Sequence, residues 1–364
     1  MSVDSVPVFP TRRQVIAEHK AHGGRVAAVF PVHHPRALWR AFGVLPVEVW
    51  GPPGTDTTLG DGHLQAYTCG IVRGGLSFVL SGQADDADFF VLPHACDSTQ
   101  GLGSLLLDFV RPGKPILPFY VPRAEGPVAV EYLAREIGRL ADKVATIVGS
   151  SPTDAELLEA VHVEEAADGR LRALHQARAR LPLSGREFYR VVRAREYLPP
   201  LAFVELAAEV LASAGDRADG RTPVIVSGML PEPMELFDTL ERVGLTAAGD
   251  DFTCTGRRLY HPGTGDDPWS RIAQSMLSGA PDATRGVSVQ ARIDHLLGLA
   301  RATGAKAAIF HEVKFCEPEA YYLPQVRKAL EAEGIRSIAV EVNPLEPLPD
   351  QVVTRLEALA ETLA

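Results

Sequence analysis

Cysteine is scarce in this chain: four among 364 residues, at positions 69, 96, 254 and 316. No Cys-x-x-Cys pair occurs, so a zinc ribbon has no local support. The wide spacing also gives no short disulfide framework of the secreted kind. Long apolar runs are missing too, and nothing approaches the roughly 18 consecutive apolar residues of a membrane helix. The opening "MSVDSVPVFPTRRQ" lacks the charged-then-apolar order of a signal peptide, so a cytoplasmic protein is expected. Lys and Arg form no long run and the net charge is −10. That argues against a nucleic-acid surface, where clustered cations must displace counterions. What is present is ordinary globular composition, and the length suggests about two domains with a sizeable core.

Strand-like and helix-like segments alternate through the first 128 residues. "RVAAVFPV" (25–32), "LPVEVWG" (45–51), "FFVL" (89–92) and "KPILPFYVP" (114–122) read as strands. "HPRALWRAFG", "HLQAYTCGIVRGGLSFVLSG" and "LLLDF" read as helices between them, two glycines weakening the second. Such alternation implies βαβ units and a parallel sheet. Residues 129–215 are instead long, helix-periodic and charged on one side. From 216 to 364 the alternation restarts, with strands at 222–228, 245–251, 306–315 and 335–342 and helices through 233–244, 267–302, 318–333 and the C-terminus. The expectation is an α/β protein of two Rossmann-like parallel-sheet lobes, 1–128 and 216–364, with a helical segment, 129–215, between them. The halves look like coarse copies of one architecture.

In open parallel sheets ligands bind beyond the carboxyl ends of the strands, where helix N-termini point their N–H groups. Cys96 follows the strand "FFVL", with Asp97 or Ser98 as the expected helix N-cap. Cys316 follows "AAIFHEVKF", with Glu317 and Pro318 opening the next helix. Cys254 follows "LTAAGDDFT", and Cys69 lies in or near the first turns of its own helix. If the carboxyl edges of the two lobes face each other, the thiols converge in one cleft. Several thiolates in a cleft suit zinc or an iron–sulfur cluster. Helix N-termini would lower the thiol pKa values and help hold an anionic cluster. Arg73, four residues after Cys69, would share its helical face and add positive charge beside it.

Four ordered motifs carry a resemblance over nearly the whole length. They are the Cys-x-x-x-Arg of "TCGIVRGG", the Cys-Asp-Ser of "LPHACDSTQ", the Asp-Asp-x-x-Cys-x-Gly-Arg of "GDDFTCTGRR" and the Lys-Phe-Cys-acid-Pro of "VKFCEPE". In this order they resemble the 2-hydroxyacyl-CoA dehydratase and benzoyl-CoA reductase subunit family. The resemblance implies a 4Fe-4S cluster in the cleft between the lobes, held by Cys69, Cys96 and Cys316. Cys254 matches a position not usually counted as a ligand. It also implies a dimer with a homologous second subunit, like or unlike, and an ATP-hydrolysing iron–sulfur activator that supplies the electron.

The activity implied is radical elimination of water from a (R)-2-hydroxyacyl-CoA, with aromatic-ring reduction of a benzoyl-CoA, or an electron-relay or scaffold role, as the alternatives. One electron on the thioester carbonyl would expel the neighbouring hydroxide and make the β-hydrogen acidic. A cluster with three protein ligands keeps one iron open, as catalytic metal sites do. A related double-cubane branch needs more cysteines than the chain has. One departure is visible: "HHPRALWRAFG" lacks the acidic residue that members usually carry soon after the proline. His33 and His34 there are candidate substrate contacts or proton donors, since histidine titrates near neutrality. His94, His311, Glu312 and Lys314 are candidates for supporting or proton-transfer roles around Cys96 and Cys316.

Overall fold

The computed structural model describes residues 6–215 and 220–363. The opening five residues of the signal-peptide reading, and the start of the second lobe at 216, lie outside the described residues. Among the described residues eight strands form two sheets: β1 (Arg25–Val29), β2 (Val44–Glu48), β3 (Phe89–Pro93) and β4 (Ile116–Phe119), then β5 (Thr222–Gly228), β6 (Leu245–Phe252), β7 (Ala307–Val313) and β8 (Arg336–Val342). Every pairing is parallel. The spatial orders are β2-β1-β3-β4 and β6-β5-β7-β8, the same topology twice. The protein is thus α/β, with two Rossmann-like lobes.

Both faces of each sheet are covered, which is why the strands read as continuous apolar runs rather than alternating ones. Along β1 the pleat sends Val26 and Ala28 one way and Ala27 and Val29 the other. The first pair joins a core that continues across to Val224, Val226 and Ile309 of the second sheet. The second pair packs on the outer helices. A single apolar layer therefore runs through both lobes.

Between the lobes come four helices, Pro127–Val148, Asp154–Ala177, Gly185–Arg193 and Pro200–Ala212. Thr153 with Glu156 and Ser184 with Glu187 form reciprocal caps that satisfy the first N–H groups of two of them. Leu133, Ile137 and Val144 of the first helix cover the outer face of the N-terminal sheet. The helix Pro268–Leu277, from the second half of the chain, joins the same cluster through Ile272, Ala273 and Met276. An Arg271–Glu165 pair at 2.7 Å fastens it there.

Several expected helices are shorter or broken. The stretch 63–82 is helical only over Gly70–Leu80, so Cys69 precedes the helix instead of lying within it. Residues 267–302 split into Pro268–Leu277 and Val289–Thr303, because Gly279, Pro281 and Gly286 interrupt the periodicity. Residues 184–213 break at Pro199 and Pro200. "LLLDF" continues the helix Asp97–Leu105 through a wider turn, Leu106–Val110.

Candidate functional site

Three of the four thiols occupy the same kind of position. Cys69, Cys96 and Cys316 are the N-caps of the helices Gly70–Leu80, Asp97–Leu105 and Glu317–Ala332. The cap before Asp97 is Cys96 itself, so neither Asp97 nor Ser98 takes that role. Cys96 follows β3 and Cys316 follows β7, the corresponding strands of the two lobes. Each strand lies beside the first strand of its lobe, where strand order reverses and ligands bind in open α/β sheets. Together the three cysteines line one cavity of about 360 Å³, with Ser98, Arg123, Thr284, Phe315 and Tyr321.

Burial pushes the Cys69 thiol up to about 11, with Cys96 adding to the rise and the N–H groups of Val72 and Ile71 opposing it. Cys316 is pushed well above the ordinary thiol range, first by burial, then by Glu319 and by Cys69. The thiols are thus near enough to repel one another as anions, and a cationic centre would relieve that repulsion. Among the described residues no three His, Cys, Asp or Glu side chains meet around one metal ion. A zinc ion draws its ligands to within about 2.3 Å of a single point. The three cysteines that line the cavity are donors of the kind an iron–sulfur cluster takes.

Strained backbone gathers on this edge. Among the described residues four non-glycine residues have left-handed φ, and three of them, Val32, His33 and Phe315, lie in loops just past β1 and β7. Such conformations persist where surrounding contacts dictate them, commonly at functional sites.

The remaining expected residues fall in different places. Arg73 is engaged by Asp61 at 2.5 and 2.7 Å, and its side chain does not line the cavity. His33 is buried behind the cavity wall. Thr284 Oγ1 donates to Asp282 at 2.8 Å, so His33 Nε2–H donates to Thr284 at 2.9 Å. His34 shares a hydrogen with Glu48 at 3.0 Å and accepts from Trp39 Nε1. Burial lowers both imidazoles to about 4, against the pull of Asp282 on His33 and of Glu48 on His34. They are therefore neutral at pH 7 and do not titrate near neutrality as expected; desolvation outweighs their carboxylate partners.

His94 stacks edge-on against Tyr120, ring centroids 5.6 Å apart, with its Nε2 unpartnered among the described residues. His311 is buried inside β7, Glu312 is half-buried with its carboxyl raised by burial, and Lys314 is exposed near Glu341 at 3.6 Å. None of these four lines the thiol cavity. Cys254 is buried, pushed up to about 12 by burial against Arg193, and stands apart from the other thiols.

Sequence reasoning missed Glu48. It is fully buried at the end of β2 and receives Arg258 from the second lobe at 2.6 and 2.8 Å, Trp50 Nε1 at 3.1 Å and Arg36 at 3.3 Å. Burial works to raise its carboxyl, but Arg258, His34 and Arg36 hold it well below the usual range. A lone charge inside the apolar run "LPVEVW" was the available signal.

Fold and site together define a two-lobed parallel α/β protein with a cysteine-lined centre at the carboxyl edges of its sheets. The chain matches the family model described as 2-hydroxyglutaryl-CoA dehydratase, D-component, over residues 31–363, and it belongs to that family. The lactoyl-CoA dehydratase beta subunit of Anaerotignum propionicum is 25% identical over 364 aligned positions, covering 96% of this chain and 95% of that one. The (R)-2-hydroxyglutaryl-CoA dehydratase beta subunit of Acidaminococcus fermentans is 22% identical, covering 98% and 97%. A benzoyl-CoA reductase subunit of Thauera aromatica is 25% identical, covering 92% and 91%.

Proposed function

We propose that this chain is the cluster-bearing subunit of a 2-hydroxyacyl-CoA dehydratase, with Cys69, Cys96 and Cys316 holding a 4Fe-4S cluster. The observation that carries the reading is the convergence of three cysteines at helix N-cap positions on one cavity. When bound, the cluster would supply the single electron that lets an acyl-CoA thioester expel its 2-hydroxyl. An ATP-hydrolysing iron–sulfur activator would be the electron's source, and a homologous second subunit would complete the enzyme.

The chain's own groups prepare that site. Three helix N-termini face the cavity and favour anionic contents. Phe315 and Tyr321 close part of its wall. The Asp282–Thr284–His33 chain fixes the Thr284 hydroxyl on that wall. No helix among the described residues is long and apolar enough to cross a membrane, in keeping with a cytoplasmic enzyme.

Anaerobic purification tests the reading. A brown protein with about four irons per chain is expected, and a colourless, iron-free one overturns it. The equal 25% identity to the reductase relative favours ring reduction of a benzoyl-CoA as the second reading. Assays of dehydration against ring reduction, each with activator and ATP, choose between them. In the assembled enzyme, acyl-CoA binding confined to the second subunit would assign this chain the electron-relay or scaffold role instead.

A further inference from the structure

A larger cavity lies elsewhere. It measures about 1110 Å³, within reach of the roughly 300–1,000 Å³ typical of cofactor and ligand pockets. All three parts of the chain wall it: the N-terminal sheet with helix Arg12–Ala21, the helix Gly185–Arg193, and the loop after β5. Its floor is apolar, from Val26, Val47 and Val49 along to Trp50.

Two features of the lining are unexplained by folding. Arg13 and Arg190, both exposed, have no carboxylate partner among the described residues, and Arg190 lies over the Phe9 ring, 5.3 Å from its centroid. Neighbouring arginines are neutralised: Arg12 by Glu196 at 3.0 Å, and Arg186 by Asp238. Deeper in, Glu232 is 8% exposed. One of its oxygens meets Arg193, and the other, Oε2, is buried with no hydrogen-bond partner. A carboxylate already matched by a guanidinium, with one oxygen to spare, asks for a neutral N–H or O–H donor. The two free guanidiniums ask for an anion, and phosphate is the anion whose geometry their fork fits. The occupant that satisfies all three is long, with phosphate at one end, amide or hydroxyl donors along it, and apolar stretches between.

The cavity also has a direction. Phe78 of the helix Gly70–Leu80 lines it, while Cys69, which caps that helix, lines the thiol cavity. At the Trp50 end the chain passes so close to this helix that a Cβ on Gly51 would lie 3.3 Å from Gly74 Cα. Gly74 is five residues from Cys69, about 7.5 Å along the axis.

We propose that this cavity is the coenzyme A site: the phosphates of an acyl-CoA on Arg13 and Arg190, its pantetheine amides against Glu232, and its thioester directed past Trp50 toward the helix that Cys69 caps. The assignment rests on the acyl-CoA reading above.

Calorimetric titration of the full chain with acetyl-CoA tests it, with no turnover required. Arg13→Ala/Arg190→Ala changes only exposed side chains, and it should raise the Kd for acetyl-CoA at least roughly tenfold. The same variant should leave the weaker binding of S-acetylpantetheine, which lacks the nucleotide phosphates, unchanged. Glu232→Gln should weaken both probes. An acetyl-CoA affinity equal in the wild type and the double arginine variant overturns the proposal. So does ATP binding as tightly as acetyl-CoA, which would mark a nucleotide site. Iron analysis of the anaerobically purified wild-type chain, run beside the titrations, separates the two readings. If iron is absent but acetyl-CoA binding depends on the arginines, the cluster reading falls and this one stands. If iron is present but binding ignores the arginines, this one falls alone.

Discussion

Glu48 and Arg258, 210 residues apart in sequence, meet in the interior with contacts of 2.6 and 2.8 Å and almost no exposure of either side chain. The pair joins the end of β2 in one lobe to the turn after β6 in the other. Trp50, His34 and Arg36 take the remaining positions around the carboxylate. Glu48→Gln would leave the Arg258 charge buried without its anion, which costs about 3–5 kcal/mol. Thermal unfolding should show a large fall in Tm, and much of it should return in Glu48→Gln/Arg258→Met, where neither charge is buried. A fall in Tm equally large in the double variant would show that the pair is not the source.

Acid should destabilise the protein well before its carboxylates titrate. His33, His34 and His311 are each lowered by burial to about 4. Asp282, Arg285 and Arg258 face His33, and Glu48, Arg36 and Arg258 face His34, while no charged group bears on His311. An unfolded histidine takes up its proton near 6.5, so between pH 6.5 and 4 the unfolded chain binds more protons than the folded one. Stability is therefore fully present above about 6.5 and declines down to about 4. The urea midpoint should fall across that window. His311→Leu removes an imidazole that bonds no other residue, and it should flatten the decline. An unchanged slope in that variant refutes the assignment.

The cysteines should separate into two classes. Cys96→Ser and Cys316→Ser should lower bound iron below roughly one per chain while the fold persists, because each removes one of the three thiolates proposed to hold the cluster. Cys254→Ala should keep the wild-type iron content, since that thiol lies outside the cavity. Iron analysis with far-ultraviolet circular dichroism checks both. Loss of iron in the Cys254 variant would contradict the geometry.

Gly228 ends β5 in register with His311 of β7, and a Cβ there would lie 2.3 Å from the His311 carbonyl oxygen. That neighbour is backbone and cannot swing aside. Gly228→Ala should destabilise by about 2–4 kcal/mol, read as a lower denaturant midpoint with an unchanged m-value.

Much of the architecture is legible in the sequence. Two-sided apolar strands such as Phe89–Pro93, broken by turn residues, announced covered parallel sheets, and the placement of Cys96 and Cys316 just past strand ends pointed to one edge. Helix boundaries were less legible. Local periodicity at 63–82 could not show that Gly60 would pack on Ser77, nor that the chain turns into its helix only at Cys69. The histidines misled for a similar reason, because a free imidazole titrates near neutrality and only burial carries it to about 4.

By itself, then, the order of residues determined the element types, the doubled βαβ layout and the place of Cys96 and Cys316 just past strand ends, since periodicity and turn chemistry act over a few neighbours. Tertiary structure alone decided that Cys69, Cys96 and Cys316 share a cavity from which Cys254 is absent. It also decided that Glu48 finds Arg258, and that a second, larger cavity opens between helix Arg12–Ala21 and helix Gly185–Arg193. Those outcomes depend on desolvation and on distances between segments far apart in the chain, and neither quantity exists until the lobes pack.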